Sequence, residues 1–216
     1  VKNKNLNIII ENMVEKVITQ TYEKNGQKSK KTFNFSHMKD IEDLEELIFY
    51  AKSTLPPLSI SDNGPNSGSS RLVFHFGTGK VLKVARNDYG VEQNSAEIFA
   101  SRKFPDLVVK TYDNDPGYKW ILSEAVRAVS KEEFEQFTGI KDFNLFSDLC
   151  LQATLTNIDE TDEFDEIKEL PFIKKILQYF NRGLDIADMG IIIHWGKNSS
   201  GELRYLDPGL SDPNWS

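Results

Sequence analysis

Apolar residues near the start of the chain recur at intervals of three and four: Leu6, Ile9, Ile10, Met13, Val14, Val17 and Ile18. That spacing predicts an amphipathic helix from Leu6 to Tyr22. The polar stretch from Asn25 to Lys31 closes it, and Lys31 to Phe35 reads as a short extended segment. A second helix is expected from about Ile41 to Ser53. Ile41, Leu44, Leu47, Ile48 and Ala51 share one face there, acids crowd its beginning, and Pro56-Pro57 stand beyond its end.

The pattern then changes. Residues 61–70, SDNGPNSGSS, are turn chemistry, and two runs rich in β-branched or aromatic residues follow, RLVFHF at 71–76 and KVLKVA at 80–85. Gly77-Thr78-Gly79 between them predicts a hairpin. A helix should cover about Gln93 to Lys103, with Ile98 inward, and strands at 107–112 and 119–125 should be joined by the turn DNDPGY. The first half therefore reads as an antiparallel sheet carrying one helix. The second half is mainly helical. Ser130 three residues before Glu133 makes a capping box, FNLFSDLCLQATL continues as another helix, and ELPFIKKILQYFNRGL reads as a long one. The acidic stretch at 159–166 suits a solvated loop or helix face. GIIIHWG and ELRYLDPG form a final hairpin ending in an Asp-Pro-Gly turn.

Charge narrows the function classes. Twenty-six Lys and Arg against 33 Asp and Glu leave a formal charge of -7, which argues against a general grip on nucleic acid. No apolar run approaches the ~20 residues of a membrane helix, and the start of the chain lacks a secretory apolar core. A cytosolic protein is expected. Cys150 is the only cysteine and shares its helical spacing with Phe146 and Leu149, so it reads as core rather than as a nucleophile. His37 and His75 have no second ligand at a metal-binding spacing. Trp120, Trp195 and Trp215 are not interleaved with basic residues, as a base-stacking platform would require.

One constellation carries chemistry. A glycine-bearing turn between strands followed by a lysine inside an apolar strand can hold a nucleotide's phosphates, with backbone N–H groups over the oxygens and one fixed ammonium beneath. Gly64, Gly68, Ser69 and Ser70 would be the loop, and Lys83, between Leu82 and Val84, the lysine. A covered lysine needs a partner to offset lost solvation. Glu97, on the helix that follows, is placed to be that partner. The bland alternative for the loop is an ordinary β-turn.

GSSRLVF, GKVLKVA and GVEQNSAEI together resemble the amino-terminal lobe of the protein-kinase-like fold, and more narrowly the small kinase-like proteins of tailed bacteriophages. Gln93, Asn94 and Glu97 match the family's Gln-Asn-x-x-Glu motif, whose glutamate pairs with the lysine. LSEAVRAV resembles the hinge strand, whose backbone at Glu124 to Val126 would meet an adenine. YLDPGLS resembles the metal-binding Asp-x-Gly turn, with Asp207 as the implied Mg²⁺ ligand and Pro208 where Phe or Tyr is usual. The likeness runs from about residue 58 to 212. It implies an α+β, two-lobed kinase-like fold with an antiparallel N-lobe sheet and a shortened helical C-lobe: a helical extension at 1–57, the N-lobe at 58–126 and the C-lobe at 127–216, with ATP and Mg²⁺ between the lobes.

The match weakens at the catalytic loop. A kinase of this kind supplies an Asp to the acceptor hydroxyl and, five residues on, an Asn to a second metal. Asp188 is the candidate Asp and Asp185 its rival, but five residues beyond Asp188 stands Ile193. His194 follows and could substitute as a ligand, though Mg²⁺ prefers oxygen. In the bland reading, His194 and Trp195 are packing residues and Asp188 a helix terminus. Only seven residues follow Asp207-Pro208-Gly209, so a conventional peptide kinase with an activation segment is not expected. Three readings stay open, because a fold does not dictate a function. The first is an atypical ATP- and Mg²⁺-dependent phosphotransferase with an unknown protein or small-molecule acceptor. The second is an inactive pseudokinase serving as a binding or virion-associated module, whose partners would be phage structural proteins. The third is a factor acting on host proteins. The expected location is the host cytoplasm or the virion.

Overall fold

The computed structural model describes residues 17–24, 27–55, 70–76, 79–155, 167–184 and 186–208. Val17–Lys24 is a strand, β1, paired antiparallel with β2 (Gln27–Asn34), from Val17 opposite Asn34 to Lys24 opposite Gln27. The helix predicted from Leu6 to Tyr22 is therefore corrected over its second half, and its first half lies outside the described residues. The physical reason is local. The three-and-four spacing ends at Ile18, whereas Val17, Ile18, Thr19, Thr21 and Tyr22 favour extended backbone, and Asn25-Gly26 is the strongest short hairpin signal.

Two short helices follow. α1 (Phe35–Lys39) is capped by the Asn34 side chain, which accepts from the His37 N–H at 3.1 Å. α2 (Leu44–Thr54) is capped by Asp43, which accepts from the Glu46 N–H at 2.8 Å, and it ends at extended Leu55. The expected second helix is thus present, three residues later at its start. β3 (Arg71–His75) and β4 (Lys80–Ala85) form the predicted antiparallel hairpin, with Val73 opposite Lys83. With β5 (Thr111–Asn114) and β6 (Trp120–Glu124) they make a four-stranded sheet in the order β3-β4-β6-β5. α3 runs from Asp88 to Lys103, about one turn longer at its start than predicted. The expected strand at 107–112 is shorter. Leu107–Lys110 make only a parallel bridge from Val108 to Tyr205, and the ladder begins at Thr111.

Contacts divide the chain into two compact units, Val1–Asn94 with Tyr112–Ser123, and Ser95–Thr111 with Glu124–Ser216. The first unit has its own core. Phe33, Phe35, Met38, Leu47 and Leu55 pack with Phe74, Leu82, Val84, Trp120 and Leu122, so the β1–β2 end, both short helices and the sheet share one apolar interior.

In the second unit α4 (Lys131–Thr138) starts with the predicted capping box. The Ser130 hydroxyl accepts from the Glu133 N–H at 3.2 Å, and the Glu133 carboxylate accepts from the Ser130 N–H at 3.3 Å. The Arg127 guanidinium, and then that N–H, hold the Glu133 carboxyl down to about 2. α5 (Phe143–Leu155) and α6 (Pro171–Phe180) complete the helices described, and the acidic stretch at 159–166 lies outside the described residues. β7 (Arg127–Ala128), β8 (Trp195–Lys197) and β9 (Leu203–Tyr205) form a three-stranded sheet. Phe134 sits at the centre of this core, with ring centroids of Phe143, Phe146, Phe172 and Trp195 at 5.0 to 5.7 Å. Cys150 is fully buried there, and burial pushes its thiol pKa far up, which suits a packing residue. The result is a mixed helix and sheet protein whose observed strand pairings include antiparallel hairpins in all three sheets. Among the described residues, no helix is long and apolar enough to cross a membrane.

Asp106, in the link from α3 to β5, ties that link to α6. Its carboxylate meets Lys175 Nζ at 2.6 Å and accepts from the Tyr179 hydroxyl. Desolvation alone would raise its pKa, but the hydrogen bonds from Lys175 and Tyr179 outweigh that and hold it below 3.8. Burial, and then the hydrogen bond to Asp106, push Tyr179 up to about 12.

Ser130→Ala is expected to lower stability by about 1 kcal/mol, read as a lower urea midpoint at unchanged slope. The Asp106 contribution has a definite sign. A depressed carboxyl pKa stabilises the folded state fully above its unfolded value and is lost as pH falls through the folded one. The urea midpoints of wild type and Asp106→Asn should therefore differ at neutral pH and converge below the ordinary carboxyl value of 3.8.

Candidate functional site

β4 is buried along its whole length from Val81 to Ala85, on both faces. Its central lysine is consequently buried too. Lys83 is 6% exposed, and Glu97, in the middle of α3, is 0% exposed. An ammonium or a carboxylate withdrawn from water costs several kcal/mol unless it is compensated.

The chain leading into β3 is pinned. Of the predicted phosphate loop, Gly64, Gly68 and Ser69 lie outside the described residues; Ser70 is buried. Its carbonyl accepts from the Arg86 N–H at 2.7 Å, and its hydroxyl donates to the Gln93 side chain. Gly90 makes this approach feasible, since a Cβ there would lie 2.1 Å from the Ser70 carbonyl oxygen and 3.1 Å from Ala85 Cα. Buried Asn94 takes the next contacts. Its side-chain oxygen accepts from Arg71 at 3.5 Å, and its amide nitrogen donates to the Tyr118 carbonyl at 2.8 Å. Tyr118 holds a φ of 60, rare outside glycine, in a turn organised by the buried carboxylate of Asp115. Gln93 and Asn94 entered the sequence reading as letters of a motif; here they clamp the first turns of α3 to the loop end and to the β5–β6 turn.

The second unit carries the other candidates. GIIIHWG, expected as one strand, instead forms two 3-10 turns, Ala187–Gly190 and Ile192–His194, before β8. Trp195 is the reason. Its ring fills the aromatic core, and its indole N–H, which needs an acceptor once buried, donates to the Met189 carbonyl at 2.6 Å. That bond folds the segment back and leaves Ile193 64% exposed. The first turn is seated on α5, where a Cβ at Gly190 would lie 2.7 Å from Ser147 Oγ and 2.8 Å from its Cα. Asp185 lies outside the described residues.

Hydrogen bonds tie His194 to the backbone of Asp188 and to the residue before Asp207. The His194 ring, through Nδ1, bonds the Asp188 carbonyl at 3.0 Å, and the His194 carbonyl accepts from the Leu206 N–H at 2.8 Å, one residue before Asp207. A carbonyl can only accept, so Nδ1 carries the proton, and in the neutral ring Nε2 is left as the lone-pair nitrogen. The side chains of Asp188, His194 and Asp207 are all half-buried. Among the described residues, no group of three or more His, Cys, Asp and Glu side chains gathers around a cation position. Mg²⁺ held with a nucleotide commonly takes one or two protein carboxylates and completes its shell with phosphate oxygens and water, a demand that the carboxylate of Asp207 alone could meet.

The predicted adenine-facing segment is also placed. Glu124 ends β6, and its N–H donates to the Lys110 carbonyl at 2.8 Å. Val126 lies against β8 so closely that a Cβ at Gly196 would be 2.4 Å from its Cγ2. The sequence reading missed buried Asn198 and the Glu124–Arg204 pair; a polar NSSG turn gives no sign that its asparagine is buried.

No family model matches the chain. No curated protein matches it either. Among solved structures, choline kinase LicA from Streptococcus pneumoniae is similar at a TM-score of 0.35 and 15% identity, over 79% of this chain and 71% of that one. At that level the likeness decides neither substrate nor reaction.

Gly90→Ala tests the clamp on Ser70. Alanine normally gains close to 1 kcal/mol over glycine inside a helix. Here the sign should reverse, with a loss of roughly 1–3 kcal/mol from overpacking, read from urea midpoints.

Proposed function

We propose that the chain is an atypical, kinase-like phosphotransferase using ATP and Mg²⁺. The observation that carries this reading is the buried lysine in the middle of β4, at 6% exposure, between buried Leu82 and Val84. In this reading Lys83 holds the α- and β-phosphates and Glu97 is its counter-charge. Gly68, Ser69 and Ser70 form the loop over the phosphates, with Ser70 as its anchor on α3. The backbone of Glu124 to Val126 meets the adenine, and Asp207 supplies the metal carboxylate. His194 fixes the turn bearing Asp188 and offers Nε2 as a further ligand.

Bound Mg²⁺ would neutralise charge on the β- and γ-phosphate oxygens. The chain's own contribution is placement. Asp188 accepts the proton of the acceptor hydroxyl as its oxygen bonds to the γ-phosphorus; the bond from that phosphorus to the β–γ bridging oxygen breaks, and ADP leaves. Lys83 stabilises the leaving diphosphate, and most of the acceleration comes from positioning and from fixed charge. The acceptor in this reading is a hydroxyl of a protein or of a small molecule.

A second reading has its own support. Ile193 occupies the position five residues after Asp188 where a second metal ligand would stand, and it points an apolar side chain outward. That favours a pseudokinase that binds nucleotide, or a virion-associated module in which Lys83 and Glu97 persist as architecture.

Thermal unfolding with ATP and Mg²⁺ separates these readings, since a ligand at 100 times its Kd adds about 2.7 kcal/mol to stability. The expected outcome is a raised Tm with slow ADP release, both lost in Lys83→Met, and release lost in Asp207→Ala. A raised Tm without phosphoryl transfer to water, to the protein or to a test acceptor selects the pseudokinase. Transfer that survives both substitutions overturns the phosphotransferase reading.

A further inference from the structure

Asn198 lies in the turn between β8 and β9 and is 6% exposed. Its amide is used at every position. Oδ1 accepts from the N–H groups of Ser200 at 3.0 Å and Glu202 at 2.8 Å, which is ordinary turn closure. Nδ2 does something the turn does not require. It donates to Glu202 Oε2 at 2.9 Å and to Glu124 Oε1 at 3.0 Å, reaching the end of β6. The other oxygen of Glu124 faces Arg204 Nε at 3.4 Å. Arg204 in turn bonds Glu202 at 2.6 Å and donates to the Asp106 carbonyl at 3.0 Å.

This network joins two places that the functional reading treats separately. One is the backbone from Glu124 to Val126, which is also held by the Lys110 carbonyl and by the close contact of Val126 with Gly196. The other is the β8–β9 hairpin, whose second strand leads through Leu206 to Asp207. Residues 127 and 128 pair with 197 and 196, so the weld continues along β7. A buried amide with all four positions filled has one orientation, and both carboxylates lose a donor if it is removed.

We propose that Asn198 is a positioning residue of the nucleotide site: through Glu124 it fixes the adenine-facing backbone to the hairpin that delivers Asp207. The base end and the metal end of the nucleotide are then set by one rigid piece of the second unit. This inference rests on the nucleotide reading of the site.

The test is isothermal titration calorimetry of the whole chain with adenosine, and separately with ATP and Mg²⁺. Asn198→Ala and Glu124→Ala should each weaken adenosine binding at least about tenfold, and the double variant should be no weaker than the worse single one, as coupled residues are non-additive. Ser130→Ala is the control for lost stability: its urea midpoint falls while its adenosine affinity stays within about twofold of wild type. Should Asn198→Ala fail to fold, Asn198→Asp keeps the oxygen that accepts from the two turn N–H groups and sets a second carboxylate oxygen, in place of the donor, against Glu124 and Glu202; a loss of adenosine affinity at least as large is expected. Wild-type binding that is matched within about twofold by the folded Asn198 variant overturns this inference and leaves the nucleotide reading intact. A wild-type chain that titrates neither ligand overturns both.

Discussion

A buried indole N–H organises the candidate chemistry of the second unit. Trp195 fills the space among Phe134, Phe146, Phe172 and Tyr205, and no water reaches its nitrogen. The acceptor it finds is the Met189 carbonyl, six residues upstream. A straight strand would hold those two groups apart, so the segment coils instead, and Asp188, His194 and the approach to Asp207 are set by the coil. Gly190 permits the coil to rest directly on Ser147, since it adds no side chain of its own. Asp188 is thus held by an aromatic core whose sequence signature is purely apolar.

The polar interior of the protein follows a common rule at three places. Asn94, Asp115 and Asn198 are each almost out of water and each is matched: Asp115 closes its own turn, while Asn94 and Asn198 also reach residues remote in sequence, Tyr118 and Glu124. Such groups are costly when left unmatched and specific when matched, because few alternative packings satisfy all of them. Lys83 and Glu97 stand apart from that pattern. They are full charges in the same kind of surroundings, and apolar residues of similar volume would serve the fold at least as well.

Legibility followed the range of the interactions. The β3–β4 hairpin, α2, the α4 capping box and α5 were readable because each is specified by residues within a few positions: turn glycines, a cap such as Asp43 or Ser130, an apolar face. β1 was misread because Val17 and Ile18 satisfy the helical spacing of the residues before them, while the pairing that decides the matter comes from Gln27 to Asn34. The run from Ile191 to Ile193 was misread as a strand for a similar reason, since its conformation is dictated by a hydrogen bond made by Trp195. Lys83 could be singled out from chain chemistry and Asp207 from a resemblance in its turn, whereas Asn198, Arg204 and the glycines at 90, 190 and 196 acquire meaning only from distant contacts.

The contact between Gly190 and Ser147 reaches beyond this one molecule. Two backbones touch there, so bulk added on either side pushes the Asp188 turn off its helical seat. Divergence could exchange the charged residues for others of similar chemistry and leave the architecture standing, but it has little freedom to enlarge this pair. Distant kin are therefore better sought by a matched brevity of side chains at the two positions than by the acidic and basic letters that first draw the eye.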